Sequence, residues 1–537
     1  MPGSTRALCA VFRPRGRPSP AVADICSPGP TATLRAMPAK ISAHDVLELV
    51  LDAGSFVSWD TTPVDARPNE KYRADLQKAA EKSGVDESVI TGVGTVRGRP
   101  VAVIACEFAF LAGSIGVAAA ERIVSAIERA TREGLPLLAS PTSGGTRMQE
   151  GTVAFVQMVK IAAAVATHKA AHLPYLVYLR NPTTGGVFAS WGSLGHITVA
   201  EPGALVGFLG PRVYEALYGE KFPEGVQTSE NLYRNGVIDG VVPATRLRRL
   251  VHRALRVLID PPTPTATVTE PAPEADIPDV PAWQSVMLSR RADRPGIRHL
   301  LRHAATEQVP LSGTGQGETE GTVLLSLARF RGAPCVLLGQ DRAGQSALNT
   351  MGPAALREAR RGMRLAEELQ IPLVLVIDTL GAALSQEAEE RGLAPEIARC
   401  ISDLVTLKTP TVSVLLGQGT GGGALAFLPA DRVLAAQNGW LAPLPPEGAS
   451  AIVHRDTSHA PEMAAAQGIR SLDLLRDGVI DAIIPEHPDA ADEAVDFSKR
   501  VGEAISRELR ALTGAPESER FAARLARYRN LGLPKTV

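Results

Sequence analysis

The sequence predicts an α/β protein made of two copies of one domain joined by a linker. Three observations carry this. From Gly92 onward, short β-rich runs alternate with longer Ala-rich runs, the pattern of strands joined by crossover helices. A stretch rich in Pro, Thr and acids interrupts that pattern at 260–282. Beyond it, the same strand-and-glycine pattern returns at a constant offset of 236 residues.

Taken in order, the first 36 residues are rich in Arg, Pro, Ser and Ala, with Asp24 the only acid. They lack the continuous apolar segment of a secretory signal. They are set apart from the fold as a disordered leader, as a start called too early with Met37 the true one, or as an organelle transit peptide. A helix is expected over 43–52. "PVAVIACEF" reads as a strand and "GVAAAERIVSAIERATREG" as a helix with one apolar stripe, closed by Gly134. "LPLLAS" is a strand, "GTVAFVQMVKIAAAVATHKAA" a helix and "LPYLVYL" a strand. The linker then separates an N-terminal domain at 37–259 from a C-terminal domain at 283–537.

The repeat is specific. "LPLLASPTSGGTRMQE" from Leu135 aligns with "IPLVLVIDTLGAALSQE" from Ile371. Pro136 pairs with Pro372, Pro174 with Pro410 and Gly185-Gly186 with Gly421-Gly422, all at 236 residues. "RGRPVAVIACE" resembles "RGAPCVLLGQD" at an offset two residues shorter. A period this long means two domains rather than a solenoid.

Bulk properties exclude several classes. A hydrophobic fraction of 45% with 21% charged residues is that of a soluble globular protein. A net charge of −1 gives no electrostatic reason to bind nucleic acid or an anionic membrane, and no apolar run is expected to span a bilayer. The five cysteines, Cys9, Cys26, Cys106, Cys335 and Cys400, form no C-x-x-C pair, which argues against a zinc ribbon and a disulfide framework and for reduced cytosolic thiols.

In each half a buried strand runs into a glycine pair followed by a helix. Either the glycines serve turns that need positive φ, or they lay bare backbone N–H groups for an anion or a developing oxyanion. Their duplication favours a site. "GQGTGG" at 417–422 fits G-x-G-x-x-G, but "RVLAAQNG" has no acid at the strand end where a ribose would need one. No phosphate-binding G-x-x-x-x-G-K-[ST] occurs. Lys160 lies in a helical stretch rather than on the exposed turn of a biotinylated lysine. "EAEERG" at 387–392 reads as a solvated helix start. His168 and His172, spaced i, i+4, read as a helix face without a carboxylate to complete a metal set.

At these residues the chain resembles the biotin-dependent acyl-CoA carboxyltransferases. "EFAFLAGSIG", "SGGTRMQEG", "NPTTGGV" and "VAEPGALVGFLGPRV" are similar to the β carboxyltransferase subunit. "IPLVLVIDTLGA", "AEERG", "GQGTGGGALAF" and "PPEGASAI" are similar to the α subunit. The whole, from about Met37 to the C-terminus, resembles a fused β–α chain of actinobacterial type, and the excess of Arg over Lys suits such a GC-rich genome.

The resemblance implies two crotonase-like (ClpP/crotonase) β-β-α superhelix domains. It implies that a carboxyl group passes from carboxybiotin, borne on a partner biotin carboxylase/biotin carrier α chain, to acetyl-CoA or a related acyl-CoA. The freed biotin nitrogen would be the base, so no side chain need act. Gly144 and Gly145 would hold the thioester oxygen, and Gly423 and Ala424 the biotin ureido oxygen. Gly185, Gly186, Gly381, Ala382 and Gly422 would shape the same cleft. Ala426 matches the acetyl-CoA enzymes. No metal is implied. The resemblance also implies an oligomer, a dimer at minimum and plausibly a hexamer, in which the N-domain of one chain faces the C-domain of another. The expected compartment is the cytoplasm, with no nucleic-acid or membrane partner.

Two departures stand out. The family's N-terminal zinc ribbon is absent from this sequence. The family's "DTPGAYPG" is "DTLGAALS" here: Asp378, Thr379, Gly381 and Ala382 keep the pattern, but Leu380, Ala383, Leu384 and Ser385 do not. Related alternatives are a malonyl-type thioester or malonate decarboxylase subunit and a non-catalytic carboxylase subunit.

Overall fold

A computed structural model describes residues 41–262 and 277–533. The expected leader, Met37, Cys9, Cys26 and most of the expected linker lie outside these residues. The N-terminal sheet joins β1 (Val57–Ser58), β2 (Val89–Val96), β3 (Arg99–Cys106), β4 (Leu137–Ser140), β5 (Tyr175–Leu179), β7 (Ile197–Ala200) and β9 (Gly240–Val241) in the order β1-β2-β3-β4-β5-β7-β9. A short pair, β6 (Thr183–Thr184) and β8 (Val206–Gly207), stands apart. The C-terminal sheet joins β10 (Ala305–Leu311), β11 (Val323–Phe330), β12 (Ala333–Gln340), β13 (Leu373–Thr379), β14 (Thr411–Thr420), β15 (Arg432–Ala436) and β17 (Ala482–Ile484), with β16 (Trp440–Ala442) on the end of β14.

Both sheets pair their first three strands antiparallel and the rest parallel. The repeat holds in register. Ala102 pairs with Leu137 in one sheet and Val336 with Leu373 in the other. The two extra residues of the second offset therefore fall between these strands.

The helices follow their sequence signals. In α1 (Ala43–Val50), the Ser42 hydroxyl accepts the Asp45 N–H and the Asp45 carboxylate accepts the Ser42 N–H. A helix not anticipated, α2 (Glu70–Ser83), is capped by Asn69. α3 (Val117–Arg132) buries Ala119, Ile123, Ala126, Ile127 and Ala130 against its sheet. α4 (Gly151–Ala170) follows the first glycine loop. By length and composition α4, with the turn before it, is apolar enough to cross a bilayer, contrary to expectation. The reason is its run of Val, Ile and Ala, in which Lys160 is the one charged residue before the last turn. It is nevertheless part of the fold, because it packs on α3 and its Lys160 pairs with Glu121 of α3. Lys160 is exposed and joins the two helices through this pair.

α5 (Ala244–Leu258) carries the junction between the domains. Its Leu247, Leu250, Val251, Ala254 and Leu255 share one core with Val309, Leu311 and Leu325 of the second sheet. An amphipathic helix that buries its apolar stripe on the next domain makes the two halves one packed body. α6 (Pro353–Leu369) and the short α7 (Gly421–Leu425) flank the second glycine turn.

Candidate active site

In the first half, β4 runs into Pro141–Gly145, and the loop after β5 is laced to it. Ser143 N–H donates to Pro182 O at 2.7 Å, Thr184 N–H to Ser143 O at 3.0 Å and Arg180 N–H to Pro141 O at 2.9 Å. The two glycine pairs thereby touch: a Cβ on Gly185 would lie 3.4 Å from the Gly145 Cα. The second half does the same. A Cβ on Gly423 would lie 3.2 Å from the Ala382 nitrogen and 3.2 Å from Met351 Cε, tighter than ordinary contact, so the neighbours would have to give way.

Each pair contains one glycine that its turn requires. Gly145 and Gly381 have φ of 113° and 126°, and Gly185 and Gly421 have 65° and 60°. These conformations are strained for residues with a Cβ. Gly186, Gly422 and Gly423 have no such φ, so their turns do not demand glycine. Both readings of the glycines, turn and exposed backbone, therefore apply, at different positions.

The free N–H groups are not where the sequence placed them. Gly144 N–H donates to Ala112 O at 2.9 Å, and Gly145 N–H to Ser143 Oγ at 3.0 Å. Gly185 N–H is taken by the Gly207 and Phe208 carbonyls. The Gly144 and Gly145 N–H groups, expected as oxyanion donors, are thus both engaged within the framework of the loop in this structure. The N–H groups of Thr146, Gly186 and Val187 have no acceptor among the described residues, and Gly186 and Thr146 are neighbours: a Cβ on Gly186 would stand 3.5 Å from Thr146 Oγ1.

In the second half, Gly381 N–H donates to Thr379 Oγ1 at 3.0 Å, and Ala382 N–H has no acceptor among the described residues. Gly421, Gly422 and Gly423 are the first three residues of α7, whose N–H groups have no intrahelical acceptor. Ala424 is the fourth residue of α7, one position inside the three whose N–H groups are left without an intrahelical acceptor. Ala426 is fully buried in the core with Phe427, and it is the neighbouring Leu425 that is exposed. That burial removes Ala426 from the site surface and with it the direct contact expected of a specificity residue.

Side chains missed from the sequence hold these turns. Arg147 and Glu87, both buried, pair at 2.9 Å, and Arg147 also donates to the Ser114 carbonyl. Glu150 accepts the Tyr72 hydroxyl at 2.6 Å and the Val117 N–H at 2.6 Å, capping α3. Burial pushes the Tyr72 phenol above its ordinary range. In the second half, Gln340 Nε2 donates to Gly423 O at 2.7 Å while its Oε1 accepts the Asp378 N–H at 3.0 Å. Asp378 lies beneath the turn beside Arg342 at 3.3 Å, and burial raises its pKa. Gln345 Oε1 accepts from Leu380 N–H and Thr379 Oγ1, which spans the altered "DTLGAALS" segment. The "GQD" of the quoted repeat was the one sequence trace of Gln340.

Two other expectations resolve simply. "EAEERG" begins within the helix Gln386–Glu390, capped by Ser385 and solvated along its acids. His168 is buried in α4, but His172 lies beyond the helix end with φ of 60°. The two do not share a helix face, because the chain turns after Ala170. Cys106, Cys335 and Cys400 are free and buried, and burial pushes the Cys106 thiol up to about 11.

Residues 40–521 match the carboxyl transferase domain family. The chain is 66% identical over 496 residues to a probable biotin-dependent acyl-coenzyme A carboxylase beta3 subunit of Mycobacterium tuberculosis (strain ATCC 25618 / H37Rv), covering 92% of this chain and 99% of that one. It is 35% identical over 518 residues to the acetyl-coenzyme A carboxylase carboxyl transferase subunits beta/alpha of Salinispora arenicola (strain CNS-205), covering 92% and 91%. Its fold is that of the transcarboxylase 12S structure, with a TM-score of 0.69 at 21% identity over 89% of this chain and 90% of that one. The chain therefore belongs to the carboxyl transferase domain family, with the crotonase-like fold of that family, and is a carboxyltransferase subunit of the biotin-dependent acyl-CoA carboxylases.

Proposed function

We propose that the chain moves the carboxyl group of carboxybiotin, carried on a separate biotin carboxylase/biotin carrier α chain, onto acetyl-CoA or a related short acyl-CoA. The product is malonyl-CoA or its homologue, destined for fatty-acid biosynthesis in the cytoplasm. One observation carries this: each half presents unsatisfied backbone N–H groups at a glycine turn, Thr146 with Gly186 in one and Ala382 with Gly422 and Gly423 in the other. Glycine at 423 keeps the backbone approach open, so the residues present fit a flat ureido group.

The partner's biotin supplies the carboxyl group and, once freed of it, the base. The chain supplies orientation and electrostatics. Thr146 and Gly186 N–H groups donate to the thioester oxygen as charge develops on it, and Ala382 and Gly423 N–H groups hold the ureido oxygen. A preorganised donor of this kind contributes on the order of 10²–10³ in rate. Glu150 is engaged by Tyr72 and Val117 as the cap of α3. The turn geometry also favours an active second half over a non-catalytic one: the Thr379–Gly381 bond persists despite Leu380.

The active unit is an oligomer, a dimer at minimum and a hexamer at its fullest. Beside the first turn α4 exposes Val153, Phe155, Val156 and Val159; beside the second, Leu348 and Leu384 stand out at 97% and 95% exposure. Apolar surface of this kind marks an interface, and the N-domain of one copy covers the C-domain of another. The transcarboxylase 12S structure is itself described as a hexamer assembly.

The test is reconstitution with biotin carboxylase, a biotinylated carrier, ATP and labelled bicarbonate over acyl-CoAs of increasing length. Carboxylation of acetyl-CoA and its short homologues is expected. No incorporation with any acyl-CoA would refute the reading.

A further inference from the structure

Two helices, each of which starts beside one of the glycine turns, meet at their far ends, on Glu368. α4 starts at Gly151, just after the first loop, and lays Met158 against Gly186, where a Cβ would be 3.2 Å from Met158 Cγ. α6 starts at Pro353, directly after the Met351 that touches the Gly423 position, and ends at Leu369. In the last turn of each, Lys169 Nζ of α4 and Glu368 Oε2 of α6 are 3.0 Å apart. The same carboxylate oxygen faces His196 Nε2 of the N-domain at 3.4 Å. His196 Nδ1 accepts the Tyr175 N–H at 3.0 Å, so the ring proton sits on Nε2, which lies beside Glu368 but has no hydrogen-bond partner among the described residues. His172 Nδ1 lies 2.9 Å from the Glu368 carbonyl, an acceptor only, and therefore donates to it.

Three N-domain side chains thus converge on one C-domain residue. The His196 ring close beside it and the charge of Lys169 hold the Glu368 carboxyl down to about 2, so it stays ionised. Packing does little here: a cavity of about 360 Å³ opens between the domains, lined by Lys169, His196, Thr198, Arg361, Arg364 and Glu368. Two other joints are on hand, Asp239 with Arg361 at 2.8 Å and the apolar stripe of α5 on the second sheet. Neither involves α4.

We infer that Glu368 is a positioning residue for carboxyl transfer: it ties the helix of the acyl-CoA turn to the helix of the biotin turn and so sets where the two half-sites stand. This rests on the reading under Proposed function. In an oligomer where each chain lends one half to each of two sites, the spacing within a chain fixes the spacing across every site. A misplacement of about 1 Å between reacting groups costs up to about 10² in rate.

The experiment uses the full chain reconstituted with its carboxylase partners. Glu368→Ala is expected to lower kcat about tenfold, with KM for the acyl-CoA within about twofold and oligomer size unchanged, and to lower the melting temperature to an extent that the exchanged pair below restores together with kcat. Lys169→Ala should follow it, and the exchanged pair Lys169→Glu with Glu368→Lys should recover most of kcat. An unchanged kcat in Glu368→Ala would overturn the inference, as would parallel loss of kcat and thermal stability with no recovery in the exchanged pair. Inactivity of the wild-type chain towards every acyl-CoA would instead refute the functional reading, and this inference with it.

Discussion

Ser143 holds Gly145: its hydroxyl accepts the Gly145 N–H at 3.0 Å and lies 3.3 Å from the Gly145 carbonyl. Thr379 holds Gly381 in the same way, at 3.0 Å and 3.2 Å, 236 positions later. The bond pins a left-handed glycine, and the next residue, Thr146 or Ala382, has an N–H without an acceptor among the described residues.

Thr379→Val tests that device, since valine keeps the shape and removes the oxygen. It should cost about 1 kcal/mol of stability for the lost hydrogen bonds and lower carboxylation, whereas Thr379→Ser should retain both. Denaturation midpoints and carboxylation rates of the two variants check this.

Gly186 and Gly145 are expected to fail differently. Gly186→Ala adds a Cβ at the cleft mouth, where the near atoms are the flexible Met158. Folding should be little affected and kcat/KM should fall on the order of 10²-fold. Gly145→Ala forces a Cβ onto φ of 113°, which costs about 1–3 kcal/mol of stability. If Gly145→Ala kept full stability and lost only rate, the donor assignment would return to Gly145.

Glu358 carries a pH signature. It is buried, with one oxygen accepting the Gly313 N–H at 3.0 Å and the other without a hydrogen-bond partner among the described residues. Burial raises its pKa to about 8, against 4.5 ordinarily. A raised carboxyl stabilises the fold fully below its unfolded pKa and loses that contribution as pH rises to the folded one. Glu358→Gln, a fixed neutral form, should therefore melt progressively higher than wild type from about pH 4.5 to about pH 8, with a constant gap above. Melting curves across this range decide it.

The apolar face of α4 predicts assembly. Phe155 and Val159 are 63% and 69% exposed. Phe155→Glu with Val159→Lys should dissociate the oligomer and abolish carboxylation, while the circular dichroism spectrum stays unchanged. Sedimentation velocity reads the outcome.

Much of this was legible in the sequence. The repeat at 236 residues predicted two equivalent sheets, and the strand registers bear it out. Gly185 and Gly421 could be singled out because strand, glycine pair and helix are local patterns. Which N–H groups remain free was not legible. Gly144 loses its donor to Ala112, on a loop 32 positions away, and no local pattern encodes such a partner. The buried Arg147–Glu87 pair was hidden for the same reason.

The sequence by itself therefore determined the duplicated fold, the family and the glycine turns, because periodicity and backbone freedom are properties of neighbouring residues. Only the tertiary structure decided that the Gly144 and Gly145 N–H groups are bonded within the loop while those of Thr146 and Gly186 have no acceptor among the described residues, that Ala426 is buried, and that Glu368 meets Lys169 across the two helices. Each of these depends on what the rest of the chain brings within hydrogen-bonding or van der Waals reach.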